Sequence, residues 1–237
     1  AVVREEVAPA QFDAAVLRLG QVIALRHQVM AGLDQALQID VEPALVGEVS
    51  AVDAQTGTLT VRSQTVRINR QPDEGPVTFF DGFDGLAAVS VGERVRVHGL
   101  LRWEGSGREV RASRIEKLAT VPAAERVVGV VSGLDTTAGT LRFALGGLAV
   151  DASGPTVSGG PVANDRRVAV WFLPGTSQVL GVRVLSLGES GRPSTPGRIG
   201  GVVGRLDTAA QTFELAGVPV RYAGALVTPQ GPTFTLS

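Results

Sequence analysis

The sequence predicts an all-β protein made of tandem small OB-like five-stranded barrels. Three observations predict it. Apolar residues alternate with period two along short segments separated by Gly, Asp and Thr, the mark of half-buried strands joined by tight turns. The same arrangement of segments recurs three times along the 237 residues. Each full recurrence holds three strands, a connection and two more strands, the connectivity of an OB-like Greek-key barrel.

The first repeating unit, the head, starts in register at Val46-Gly47-Glu48-Val49-Ser50-Ala51-Val52-Asp53, Val128-Gly129-Val130-Val131-Ser132-Gly133-Leu134-Asp135 and Gly200-Gly201-Val202-Val203-Gly204-Arg205-Leu206-Asp207. Each runs through a polar turn into a second alternation, at Thr58–Val61, Thr140–Phe143 and Thr212–Leu215, and then a third, carried by Val66/Ile68, Leu148/Val150 and Val218/Val220. Within the first strand Val49 and Val52 are both apolar yet three residues apart, on opposite faces of a flat strand. A β-bulge near Ser50-Ala51 brings both inward, and Ser132-Gly133 and Gly204-Arg205 stand at the same place. Gly47, Gly129 and Gly201, beside the predicted bulge, are expected to meet a backbone demand that a side chain would disturb.

The second unit, the tail, is a turn, a strand, a Gly-containing hairpin and a final strand. It occurs at Gly92–Val97 with Glu109–Leu118 and at Asp165–Val170 with Gln178–Leu187. The N-terminal stretch fits the same unit, with strands at Leu19–Leu25 and Ala36–Val41. Ala, Gln and Leu there could also build a helix from Phe12 to Leu37, but Gly20 and Gly32 fall where the tail needs turns. In the connection of the first module, Asp81 to Val89, Leu86-Ala87-Ala88 suits a single helical turn.

The order is therefore tail, head, tail, head, tail, head. It divides into a C-terminal half module (1–43), complete modules at 44–119 and 126–188, and an N-terminal half module (198–237), with linkers at 120–125 and in the Gly/Ser/Pro run from Gly188 to Gly197. The two halves together are about one module long. Alone, each would leave open strand edges and an apolar face in water, so the head of one copy is expected to complete the tail of the next. Alternatively, the missing halves lie outside this sequence, or the two ends meet within one molecule.

Composition narrows the function. A net charge of −1 gives no overall field toward nucleic acid or acidic membranes, and no apolar run approaches the ~20 residues of a membrane-spanning helix. Cysteine is absent, which excludes disulfides, thiolate metal sites and cysteine nucleophiles. The only histidines, His27 and His98, are not equivalent in the repeat. Both are read as solvated strand residues, and no transition-metal site or catalytic triad is expected. Asp53, Asp135 and Asp207 close the first strand of each head singly, which fits a side chain accepting hydrogen bonds from the next turn better than a metal ligand. Asp81-Gly82-Phe83-Asp84 lacks the spacing of a calcium loop. No cofactor is expected, and an enzyme is not.

Three residues stand out as surface contacts: Trp171, and Arg62 and Arg67, which with Arg70 make a modest basic cluster. Val168, Val170 and Phe172 alternate inward, so Trp171 points outward, while Trp103 has core parity. The equivalent outward position carries Arg26, His98 and Trp171 in successive modules, so no ligand site is shared. Nucleic-acid binding would need aromatic platforms on the second and third strands, but Phe143 and Phe213 are in core phase.

The motif Leu45-Val46-Gly47-x-Val49-Ser50-x-Val52-Asp53, with Gly57–Val61, Thr65-Val66, Val91–Gly99 and Arg111–Glu116, resembles the bacterial repeats known as domain of unknown function 5666. The second module departs from it, carrying Phe172 where the family has Gly and Asp165 where the first module has Gly92. The resemblance implies export (periplasmic, cell-surface or extracellular) and a repeated β-module, and brings no catalytic residues or ligand. The expectation is a non-enzymatic structural protein that self-associates head to tail through its terminal halves into an extracellular filament. The alternatives are an exported binding module for a glycan or other polymer, centred on Trp171, and OB-type nucleic-acid binding.

Overall fold

The computed structural model of the chain describes residues 17–30, 33–104, 107–185, 197–215 and 217–228. The N-terminal tail is the hairpin β1 (Val22–Met30) and β2 (Leu33–Val41). The first complete module holds β3 (Leu45–Asp53), β4 (Thr58–Val61), β5 (Gln64–Ile68), β6 (Phe79–Asp81), β7 (Arg94–Glu104) and β8 (Gly107–Lys117). The second holds β9 (Glu125–Asp135), β10 (Arg142–Leu145), β11 (Leu148–Asp151), β12 (Thr156–Ser158), β13 (Arg167–Phe172) and β14 (Val179–Val184). The C-terminal head is β15 (Gly197–Asp207), β16 (Thr212–Leu215), β17 (Val218–Arg221) and β18 (Leu226–Thr228). Among the described residues there is no α-helix, and Leu86–Ala88 forms the single turn expected of it, a 3-10 turn. Gly32 and most of the Gly188–Gly197 run, both expected as connections, lie outside the described residues, as does the side chain of Trp103.

The chain forms two compact units, residues 43–187 and residues 1–42 with 188–237. In the first, β3, β4 and β5 make an antiparallel meander. Strand β8 runs parallel to β5 (Val66↔Val110), β7 is antiparallel to β8, and β3 is antiparallel to β7 (Leu45↔Val97). This circuit, β3-β4-β5-β8-β7-β3, closes a five-stranded barrel with OB connectivity. Leu45, Val49, Leu59, Val61, Val66, Val95, Val97, Val110 and Ile115 fill it, all at most 1% exposed.

The second module repeats the meander β9-β10-β11 and the pairs β9–β13 and β13–β14, but its circuit does not close. Among the described residues β11 pairs only with β10, and β14 has β12 as its parallel neighbour, as β8 has β6, but no counterpart of the β5–β8 pairing. The cause is local. Strands β7 and β8 have 11 residues each, whereas β13 and β14 have six. Pro174 has no N–H for a ladder and Gly175 turns the chain at φ 72°, so the hairpin ends early. The two modules are joined through their first strands. Strand β3 pairs with β9 (Leu45↔Val127, Val46↔Arg126), and one apolar core runs through both. The expected linker is irregular as far as Ala124, with Glu125 already the first residue of β9.

In the second unit the half modules complete each other within the chain. Strand β15 pairs with β1 (Val22↔Val202), β16 with β15, β17 with β16, and β2 with β17 in parallel (Val220↔Asp34) and with β1 antiparallel. The circuit β15-β16-β17-β2-β1-β15 closes the third barrel, with its tail ahead of its head in sequence. Its core holds Ile23, Leu25, Ile39, Val203, Phe213, Leu215, Val220 and Tyr222. Of the ways of completing the terminal halves that the sequence left open, this structure shows the ends meeting within one molecule. The terminal edges β1 and β17 hydrogen-bond to β15 and β2 of the same chain, and a second copy is not required to cover them.

Candidate functional site

The bulge and turn chemistry of each head follows the sequence. The ladder shifts between Val49 and Ala51 in the first head, between Ser132 and Asp135 in the second and between Gly204 and Asp207 in the third. Asp53 accepts from the N–H groups of Gln55 and Thr56 (2.9 and 3.1 Å), Asp135 from that of Thr137 (2.9 Å) and Asp207 from those of Ala209 and Ala210 (2.9 Å each). The hydroxyl contacts of Thr56 and Thr137, with those backbone donors, hold Asp53 and Asp135 below the usual carboxylate range. All three are turn-forming groups. Gly47, Gly129 and Gly201 have ordinary backbone angles, contrary to the expected backbone demand. They are kept small by packing: a Cβ would lie 2.9 Å from Arg62 Cγ at Gly47, 3.0 Å from Leu145 Cβ at Gly129 and 3.2 Å from Leu215 Cδ1 at Gly201. In the second module, Asp165 keeps the left-handed backbone (φ 65°) of its counterpart Gly92 (φ 92°), a conformation that Asp tolerates better than most residues.

The structure separates the three surface candidates and engages each internally. Trp171 has the predicted parity, lying outside the core that holds Val168, Val170 and Phe172, but it is only 4% exposed. The guanidinium groups of Arg126 and Arg183 lie 5.1 and 5.4 Å from its ring centroid. Period two reported the direction of the ring. It could not report that two long arginine stems on neighbouring strands cover it.

Arg62 sits in the tight β4–β5 turn, where it and Ser63 have φ 50° and 60°. Its guanidinium donates to Glu125 Oε2 and to the Thr176 carbonyl, both at 2.8 Å, and lies 4.2 Å from the Phe172 ring centroid. The Gln64 side chain of the same hairpin donates to the Leu145 carbonyl at 2.9 Å. These contacts bind the tip of the first barrel to the second. Arg67 turns the other way. Its Nε donates to both oxygens of Glu109 (2.7 and 2.9 Å) and an Nη to the Thr56 carbonyl. Arg70 lines an open groove of about 480 Å³ with Asp84, Ile68 and Phe80. The floor of the groove is fixed by Asn69, which donates to the Gly75 and Pro76 carbonyls, and by Thr78, which donates to that of Ala112.

Neither histidine is solvated, contrary to expectation. His27 is 7% exposed and its Nδ1 meets Asp34 Oδ1 at 2.8 Å across the β1–β2 hairpin. His98 is fully buried on β7. Around it stand Glu116 (3.9 Å), Arg96, Arg114 and Arg126. Burial drives its pKa down to about 3, the three arginines add to this, and Glu116 opposes it. Burial pushes Glu116 upward, but hydrogen bonds from Arg114 (2.6 Å) and Arg96 (2.9 Å) outweigh this and hold it below its ordinary value. Arg114 also binds Asp81, so the acidic loop is tied to the barrel by an ion pair. Among the described residues no three His, Asp or Glu side chains converge as a metal site would need. His98 and its arginines were missed because a lone His in a strand with charged neighbours looks solvent-facing. Only the pairing of β3 with β9 places Arg126 beside it.

Residues 46–116 match the family model described as domain of unknown function (DUF5666). The first barrel belongs to that family. Its match runs from the start of β3 almost to the end of β8, the span of the closed circuit. No curated protein and no solved structure matches the chain.

Proposed function

We propose that this chain is a non-enzymatic structural protein, exported from the cell, in which DUF5666-type barrels serve as rigid building blocks. The observation that carries the reading is the use of its most contact-prone side chains. Arg62 is engaged by Glu125 across the two barrels, Trp171 is covered by Arg126 and Arg183, and His98, Glu116 and Arg114 cluster within the first barrel. The glycan reading rested on an outward Trp171 and loses its anchor residue. The nucleic-acid reading needs exposed aromatic platforms, and Phe143 and Phe213 are buried.

Assembly enters through the permuted barrel. Its two halves lie at opposite ends of the sequence and are held by β1–β15 and β2–β17/β18 pairing. The same ladders form if the head of one copy closes on the tail of another, a domain exchange that is heterologous and extends into a filament or closes as a ring. Exchange makes no contact that the closed monomer lacks, so it is favoured by concentration. The test is light scattering and size-exclusion of full-length protein after partial unfolding and refolding at high and low concentration, with a variant lacking residues 1–42. Oligomers that grow with refolding concentration, and are capped by the truncated chain, support assembly. A monomer at every concentration removes assembly from the proposal.

A further inference from the structure

The three barrels of this chain provide an internal comparison. In the first, the third meander strand β5 is covered by β8, running parallel with Val66↔Val110 and Ile68↔Ala112 in register. In the permuted barrel, β17 is covered by β2, also parallel, with Val220↔Asp34 and Arg221↔Gln35. In the second barrel the equivalent strand, β11, pairs with β10 alone among the described residues, because the β13–β14 hairpin turns back at Pro174-Gly175 before reaching it.

The open edge can be located to single residues. Strands β10 and β11 are joined by the two-residue turn Gly146-Gly147, Gly146 at φ 58°, so Leu145 and Leu148 are the first hydrogen-bonded pair. Hydrogen-bonded and non-bonded pairs alternate along an antiparallel ladder. Phe143–Val150 is therefore bonded, and Ala149, opposite Ala144, turns its N–H and C=O away from β10. Ala149 is exposed, as is Asp151, while Val150 lies in the core at 3% exposure. An edge with free main-chain groups and one side in the core is a template for strand addition.

We propose that the outer edge of β11 is a binding surface for an extended polypeptide strand, taken up parallel to β11 and completing the second barrel as β8 completes the first. The sibling barrels define the chemistry of the occupant. Val110 and Ala112, both 1% exposed, point into the first barrel, with Arg111 between them directed outward. Ala36, 2% exposed, has the inward role on β2. The occupant is thus a strand of small or β-branched apolar residues at alternate positions, with polar residues between. This surface is separate from the exchange of terminal halves and does not depend on it.

The test uses the full chain and a synthetic peptide of residues 107–117, GREVRASRIEK, the sequence of β8. Isothermal titration and the emission of Trp171 measure binding, and circular dichroism checks the fold. The expected result is saturable binding in the micromolar range, weakened at least tenfold in Ala149→Pro, which removes the N–H facing the incoming strand. A second reagent leaves the protein untouched: the peptide N-methylated at alternate residues on its pairing edge is expected to bind at least tenfold more weakly. No saturation at millimolar peptide, or equal binding of the methylated peptide, overturns the proposal.

Discussion

Arg62 should hold the two barrels of the 43–187 unit together, and its loss can be given a magnitude. Its side chain is 13% exposed and that of its partner Glu125 only 3%. Arg62→Met keeps the stem that lies over Gly47 but leaves the Glu125 carboxylate buried without its cation. Breaking a buried pair from one side costs about 3–5 kcal/mol, because the remaining charge has lost both water and partner. The contact with Phe172 is lost in the same step and is included in that figure. Replacing both members by apolar groups is far milder, so Arg62→Met/Glu125→Leu should recover most of the loss, a coupling of about 2–3 kcal/mol. Urea denaturation followed by Trp171 emission, in a Trp103→Phe background, reads the unit that contains the junction. A loss below about 1 kcal/mol for Arg62→Met, the level of an exposed ion pair, or strict additivity of the two changes, would refute the assignment of this pair as the weld between barrels.

Two further predictions rest on packing and burial. Gly129→Val places its Cβ about 3 Å from the fully buried Leu145 and should destabilise the 43–187 unit by about 1–3 kcal/mol through overpacking, whereas the same change at Gly154, where a Cβ meets nothing, should leave the denaturation midpoint unchanged. His98 has a folded-state pKa of about 3 against an ordinary 6.5, so between these values the unfolded chain binds the extra proton. Its contribution is therefore fully present above about pH 6.5 and is lost progressively as pH falls toward 3. His98→Gln should flatten the fall in stability across that window, and an unchanged slope would show that acid sensitivity comes from other groups.

Local chemistry was legible in the sequence. Period two gave the strands, including those placed at Leu19–Leu25 and Ala36–Val41, where helix-forming composition pointed the other way and the observed strands are Val22–Met30 and Leu33–Val41. The Val49/Val52 spacing gave the bulge, the recurrent Asp gave the turn, and the order of head and tail gave the OB circuit. These features depend on a residue and its near neighbours along one strand, and a repeat tests each of them three times. The sequence also gave the direction in which Trp171 points.

What lies on the far side of a strand is a matter of the fold. Trp171 is covered by Arg126 and Arg183, His98 is buried beside Arg126, and Arg62 reaches Glu125, 63 positions away. No local pattern encodes these contacts: the His98 and Arg62 contacts depend on β3 pairing with β9, and the cover of Trp171 on β13 pairing with β9 and β14. The terminal halves illustrate the same division. Sequence showed that each is incomplete and that they are complementary, since an open edge and an apolar face must be covered. Which copy supplies the cover is not a property of either segment, because the same ladders satisfy both edges in cis or in trans. In this structure β15 meets β1 and β17 meets β2 of their own chain, and only the tertiary arrangement could decide that.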